Sequence, residues 1–372
     1  MKIAYIIATN TDTLNGIGNK VLNQIKSWID LGEDARVLAF SSVKGNAMDS
    51  IPSRVLNMNP PWGRALLGKP WRVIQFLRGV LYLFLWRPDV IYVRASEKPH
   101  GSQLWSLLSA KVICEVNSDM EQQNVIDLET GDVGEYEAGR RLRSWSQSLA
   151  TCDGMVSVSQ QMDEVNQKFL RGQPHAVAWN SIRFDDAASI KRTNQGNKRP
   201  KLCFVGAQSF AWNGVDLLKT FAEKTMGKLD FVVIGVSENS GFTSNVQEHP
   251  YLEKEEMLKV MAECDIGLGT MALFRKGLHE CSALKIRDYL SLGMPILLAY
   301  KETAFIDKTL PEWVLEIENE EDSMLKNETG IVEFAEQWRG RSFDPEQAQP
   351  YYDSAIVEKH RLDFFREVCA EV

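Results

Sequence analysis

Short apolar runs that end in polar or glycine-bearing turns alternate with stretches of helical period along almost the whole chain, the pattern parallel α/β layers produce. Two series of strands are predicted from it. The first comprises residues 2–8, 35–41, 55–58, 89–94, 111–117, 154–159 and 176–180, and the second 201–206, 230–235, 265–270, 295–300 and a weaker 313–317. After the first strand, Val21, Leu22, Ile25, Trp28 and Ile29 recur at the 3.6-residue period of an amphipathic helix.

Residues 183–200, poor in large apolar side chains, separate the two series and read as a linker. The expected organisation is an N-terminal Rossmann-like domain over 1–182 and a C-terminal one over 201–350, both doubly wound and facing across a cleft. Residues 351–372 pattern as a helix that offers Ile356, Leu362, Phe364, Phe365 and Val368 for packing on either domain, the N-terminal one included. Ligands of such sheets bind outside the carboxyl ends of the strands. Gly206, Gly235 and Gly269 close second-series strands there, where a missing side chain lets a ligand approach the backbone.

A chain of 372 residues is long enough for two cores, and 44% hydrophobic with 25% charged residues is the composition of a soluble globular protein. The net charge of −8 excludes a general nucleic-acid binder. Residues 51–100 depart from the acidic average, with eight bases against two acids. The apolar stretch 73–86 inside them is interrupted by Gln75 and Arg78 and is shorter than the ~20 residues of a membrane span. Residues 61–87 can rest on anionic lipid with Trp62, Trp71 and Trp86 at the interface; the alternative for 73–86 is a core helix between two strands. The six cysteines show neither metal spacing nor a disulfide framework, and the N-terminus lacks a signal-peptide layout. Buried thiols in a cytoplasmic protein, at the inner face of a membrane if the basic stretch docks there, are the expectation.

The chemistry is densest in residues 277–295, where Glu280 and Asp288 stand eight positions apart. Ser282 is the expected N-cap of a short helix, Leu284, Ile286, Tyr289, Leu290 and Leu292 supply its buried contacts, and Gly293 with Pro295 ends it. Glu280 then lies on a loop and Asp288 inside the helix. Four bases, Arg275, Lys276, Lys285 and Arg287, surround the helix start, where the macrodipole favours acids. A diphosphate held there by backbone N–H groups and cations compensates them, leaving the carboxylates to grip sugar hydroxyls. A surface helix whose bases pair with Glu280 and Asp288 is the plainer alternative.

In the other half, Gly16-Ile17-Gly18 opens a helix with an anion-tolerant turn but lacks the third glycine of a dinucleotide fingerprint, and Asp34 precedes the second strand instead of ending it. Arg94 ends a strand, and Glu115-Val116-Asn117-Ser118-Asp119 turns polar groups toward the strand ends. Their alternatives are an Arg94–Glu97 pair and a structural turn cap. For His100 and His279 the alternative is an ordinary solvated histidine. No zinc spacing and no Asp-x-Asp hook for a metal–diphosphate complex occurs, so neither metal nor other cofactor is expected.

With these residues laid out, the chain from Met1 to about Tyr300 resembles a family 4 glycosyltransferase of the GT-B architecture. The resemblance rests on Gly16-Ile17-Gly18, on Trp179-Asn180-Ser181-Ile182, on Phe204-Val205-Gly206 through Trp212-Asn213-Gly214, and above all on Glu280 and Asp288 at the spacing of the Glu-x7-Glu motif. The last stretch is typical of bacterial exopolysaccharide and O-antigen enzymes. The resemblance implies retaining transfer, without an obligatory metal, from a nucleoside diphosphate sugar to a glycan acceptor, lipid-linked, in cell-surface polysaccharide biosynthesis. It implies that Glu280 lies near the donor sugar as the catalytic acid of the pair and that Asp288 binds the ribose. Gly16, Gly18, Gly206, Asn213, Arg275, Lys276, Ser282 and Lys285 complete the donor side, with Arg94, Asn117 and Asp119 toward the acceptor.

Three positions depart from the family. Asp288 is shorter than the usual Glu, Gln208 and Asn213 stand where many members place a basic pair, and Asn117 stands in place of a first-domain histidine. Two other readings fit a chain of this kind: a nucleotide-sugar 2-epimerase of the same architecture, and a non-catalytic nucleotide-sugar-binding scaffold.

Overall fold

The computed structural model describes the chain except residues 12–15, 44, 60–67, 96–104, 106–107, 185–189, 238–239 and 371–372. Trp62, Glu97 and His100 therefore lie outside the described residues. The chain divides into two compact units, one of 1–181 with 354–372 and one of 182–353.

The first unit is built on a seven-stranded parallel sheet: β1 (Lys2–Ala8), β2 (Asp34–Ser41), β3 (Ser53–Asn57), β4 (Val90–Arg94), β5 (Lys111–Val116), β6 (Gly154–Ser157) and β7 (His175–Val177), in the order β3-β2-β1-β4-β5-β6-β7. Ile3 through Ile7 of β1 are all buried, as a central strand covered on both faces requires. Helices α1 (Gly16–Asp30), α2 (Gly68–Trp86), α3 (Met120–Glu129), α4 (Glu135–Thr151) and α5 (Gln160–Gln167) connect the strands. Val21, Ile25 and Trp28 of α1 are buried as the period predicts, while Ile29 is exposed at its edge. Trp28 stacks on Tyr5 at 5.9 Å and meets Tyr92 edge-on at 5.6 Å.

The second unit carries β8 (Lys201–Val205), β9 (Asp230–Ile234), β10 (Val246–His249), β11 (Ile266–Leu268), β13 (Ile296–Leu298) and β15 (Val314–Glu316) in one parallel sheet ordered β10-β9-β8-β11-β13-β15. A two-stranded sheet, β12 (Glu280–Cys281) with β14 (Lys301–Glu302), accompanies it. Helices α6 (Val215–Lys224), α7 (Lys254–Met261), α8 (Leu284–Ser291) and α9 (Glu328–Trp338) are the longer helices of this unit. Strand β10 has no place among the predicted strands, because an edge strand reading Val-Gln-Glu-His lacks the apolar run that marks a central one.

Residues expected to form a linker fold onto the second unit. Thr193 N–H donates to the Ala262 carbonyl at 2.9 Å, and Asn194 Nδ2 donates to the buried Asp265 carboxylate at 2.7 Å. The same carboxylate also receives Asn197 Nδ2, the Lys201 N–H and the Gly340 N–H, which ties that segment to the sheet.

The terminal helix α10 (Ser354–Ala370) belongs to the first unit. Leu362, Phe364, Phe365 and Val368 join its core, whereas Ile356 is exposed instead of packed. Charged groups of this helix are buried along with its apolar ones. Arg361, fully buried, donates to Tyr92 Oη at 2.8 Å, to Glu358 Oε2 at 2.8 Å and to the Ala178 carbonyl at 3.0 Å. Glu358 in turn accepts from Trp28 Nε1 and Ser181 Oγ, both at 2.9 Å.

Candidate active site

In both sheets the strand order reverses beside the first strand of the unit, between β1 and β4 and between β8 and β11, and ligands of doubly wound sheets bind at the carboxyl ends there. At the end of β8, a Cβ on Gly206 would stand 2.9 Å from Asn213 Nδ2, so the asparagine leans over the glycine and donates to the Ala207 carbonyl at 2.8 Å. At the end of β11, Arg275 and Lys276 lie on the short turn Leu273–Lys276. Arg275, expected among the diphosphate cations, grips Asp216 with two hydrogen bonds of 2.8 and 2.7 Å, and Lys276 Nζ lies 4.4 Å from the Trp212 ring centre.

Helix α8 approaches the sheet at Gly267, where a Cβ would run into the Tyr289 ring, and Tyr289 Oη donates to the Cys203 carbonyl at 3.1 Å. Gly293 ends the helix in the left-handed conformation, with the Met294 N–H reaching back to the Tyr289 carbonyl at 3.0 Å. Its start differs from expectation. Ala283 occupies the N-cap position and no side chain caps the helix, because Ser282 Oγ instead accepts from Arg287. Arg287 is turned inward. Its guanidinium donates twice at 3.0 Å to Glu302 and lies 4.3 Å from the Tyr352 ring centre.

That leaves Lys285 in the first turn. Its Nζ is buried, has no hydrogen-bond partner and stands 4.1 Å from the centre of the Phe204 ring. Burial lowers its pKa to about 7, with only the Cys281 and Cys203 thiols opposing the shift. An ammonium beside uncapped helix N–H groups is a place for an anion.

Of the two acids, Asp288 lies inside the helix as expected and Glu280 does not lie where expected. Glu280 is buried on strand β12, paired with Lys301 of β14, and not on an open loop. Glu302, one pair further along, has its carboxyl pushed up to about 7 by burial against the pull of Arg287, with Glu280 adding to the rise. Its Oε2 lacks a partner. Asp288 forms an ion pair with Lys254 of α7, and burial raises its carboxyl despite that lysine. Neither Lys254 nor Glu302 was visible as a site residue in the sequence, since each meets its partner across a sequence gap that no local pattern spans.

In the first unit, Gly16 and Gly18 open α1, and Lys20 one turn further in donates to Glu115 Oε1 at 2.8 Å and Asn117 Oδ1 at 3.2 Å. Burial alone would raise the Glu115 carboxyl, but Lys20, Arg361 and Arg94 outweigh it and hold it well below the usual range. Burial lowers Lys20 to about 8. Asn117 Nδ2 also donates to Glu115 at 2.7 Å, so this residue serves the buried charge cluster. Asp119, an acceptor-side candidate, caps α3 by accepting from the Glu121 and Gln122 N–H groups at 3.0 and 3.1 Å. Arg94 ends β4 half-buried, and His279 is exposed. Asp34 opens β2 and pairs with Arg36 at 3.1 Å. All six cysteines are free thiols, with Cys281 and Cys369 half-buried and the other four buried.

No family model and no curated protein matches this chain. Solved structures do. Sucrose-phosphate synthase from Thermosynechococcus elongatus superposes with a TM-score of 0.71 at 11% identity, covering 100% of both chains. Anabaena HepE in complex with UDP gives 0.65 at 12% identity, over 99% of this chain and 100% of that one. An alpha-glucosyltransferase in complex with UDP gives 0.68 at 12% identity, over 98% and 100%. The fold is GT-B, with two Rossmann-like domains.

Proposed function

We propose that this protein is a retaining glycosyltransferase that moves a sugar from a nucleoside diphosphate donor to a lipid-linked glycan acceptor, in cell-surface polysaccharide biosynthesis at the inner face of a membrane. One observation carries the reading: the buried, unpartnered ammonium of Lys285 beside the uncapped start of α8, at the strand ends where doubly wound sheets take their ligands. Solved structures of the same fold that hold UDP support the donor class.

In this reading the donor diphosphate lies against Lys285 with Lys276 nearby, and Asn213, which fills the space over Gly206, borders it. The sugar–phosphate bond breaks and the acceptor oxygen bonds to the same face of the anomeric carbon, while the acceptor proton passes to the departing phosphate. Lys285 and the helix N–H groups stabilise the growing negative charge, a preorganised electrostatic contribution made without an obligatory metal. Glu280 orients the donor sugar. Asp288 reaches the ribose by exchanging its contact with Lys254, which offsets its shorter side chain if water bridges the gap.

Thermal-shift titration against UDP, GDP, dTDP and CMP tests the donor class. One nucleotide is expected to raise the melting temperature by mass action, and Lys285→Met to abolish that rise. No shift with any of them would remove the basis of the reading. Turnover of the donor alone to an isomerised sugar nucleotide would point to an epimerase, and binding without turnover to a scaffold.

A further inference from the structure

Helix α2 (Gly68–Trp86) carries an apolar face that nothing among the described residues covers. Val73, Ile74, Leu77, Leu81, Phe84 and Leu85 are all at least 50% exposed, Leu85 at 71%, and their spacing forms one stripe of a 3.6-residue helix. The opposite side is docked on the sheet: Gln75, Gly79 and Leu83 are buried, and a Cβ on Gly79 would already touch Phe40, Leu38 and Leu56 at 3.1 to 3.3 Å. Trp71 and Trp86, expected at a lipid interface, are half-buried and donate to the Asn57 carbonyl at 2.9 Å and to Asp34 at 3.3 Å. The exposed stripe is aliphatic and phenyl. Six neighbouring large apolar side chains in water are more than scattered surface hydrophobics, and mark a surface that something covers.

Charge indicates the occupant. The helix contains no acid, Arg72 and Arg78 are exposed along it, Arg87 follows its end, and exposed Arg54 of β3 lies 4.8 Å from the Tyr82 ring centre. No helix among the described residues is long and apolar enough to cross a membrane. A pocket of about 240 Å³ continues the stripe at the C-terminal end of α2, with apolar walls from Leu83, Phe84, Pro88 and Leu108 and the Arg87 residue among its lining. Arg87 holds a φ of 55°, a left-handed conformation that favours glycine, yet here the position carries a guanidinium. Apolar walls with a cation beside them suit an acyl chain below a phosphate. A second copy of the chain fits poorly, since pairing the same face would set these arginines against their own kind.

We propose that α2 seats this protein in the plane of a bilayer rich in anionic phospholipid, its apolar stripe among the acyl chains and its arginines at the phosphates. The inference extends the reading of a lipid-linked acceptor, and its test needs no nucleotide.

Sedimentation of the full chain with phosphatidylglycerol-containing vesicles, against pure phosphatidylcholine, measures it. Binding to the anionic vesicles is expected, weakening at high salt. The Leu77→Ser/Leu81→Ser/Phe84→Ser variant and the Arg72→Glu/Arg78→Glu variant are each expected to lose at least about tenfold in vesicle affinity while keeping the wild-type melting temperature. A wild-type protein left in the supernatant, or variants that sediment like it, would overturn the proposal. So would light scattering that shows a dimer broken by the serine variant, which would give the face to a second copy. A failed nucleotide titration leaves this result standing, and failed sedimentation leaves the donor reading standing.

Discussion

Lys285 holds its ammonium 4.1 Å from the centre of the Phe204 ring, buried and without a hydrogen-bond partner. A ring face gives a cation less than water does, so the folded protein carries a charge whose best partner is an anionic ligand.

Two opposite effects of Lys285→Met follow. Nucleoside diphosphate affinity should fall at least about tenfold, the loss of one charge-assisted contact, while stability at pH 7 should rise because an apolar side chain replaces a desolvated ammonium. Calorimetric titration and urea unfolding read the two separately. If the variant binds UDP like the wild type, Lys285 is no diphosphate ligand.

The pH dependence has a definite sign. Lys285 has its pKa lowered from 10.5 to about 7, so between those values the unfolded chain holds a proton the folded one lacks. Its contribution to stability therefore rises with pH across that window. Binding of an anion favours the charged form, so nucleotide affinity should decline as pH climbs above about 7, the value at which burial leaves this ammonium. Flat affinity from pH 6 to pH 9 would contradict this. Glu302 acts oppositely on stability: its carboxyl is raised from 4.5 to about 7, so its contribution is present at low pH and lost as pH rises through that interval.

Glu280→Gln should reduce transfer by at least about a hundredfold with nucleotide affinity nearly intact, whereas Asp288→Ala should raise the nucleotide Kd and free Lys254. Steady-state kinetics beside calorimetry separates these outcomes. Full activity in both variants would move the site elsewhere.

Gly267→Ala tests how α8 is placed. The added methyl meets the Tyr289 ring, whose hydroxyl is anchored on Cys203, so the helix must shift as a body. A loss of about 1–3 kcal/mol in stability is expected, together with weaker nucleotide binding, because Lys285 and Asp288 ride on the same helix.

Arg361→Ala should cost about 3–5 kcal/mol, since it leaves Glu358 and Glu115 buried without their shared cation. Limited proteolysis should then cut within 354–370 faster than in the wild type. Unchanged proteolysis would mean that Leu362, Phe365 and Val368 hold the helix by themselves.

The sequence by itself determined the central strands of both series and the helix ending at Gly293, and it set an acid at 280 eight positions from one at 288, because apolar period and glycine placement are local and report directly on burial and turns. It also showed four bases around one helix start. Which of them face inward was decided by tertiary structure alone. Arg287 meets Glu302, Arg275 meets Asp216 and Asp288 meets Lys254 across 15 to 59 residues of chain. Only Lys285 of the four is left buried without a hydrogen bond, for a charge is matched by whatever lies within a few ångströms in space, which periodicity does not record. The terminal helix follows the same rule. Its apolar period in the sequence names neither unit, and in the fold it lies on the first, where Leu362, Phe365 and Val368 join the core and Arg361 meets Tyr92.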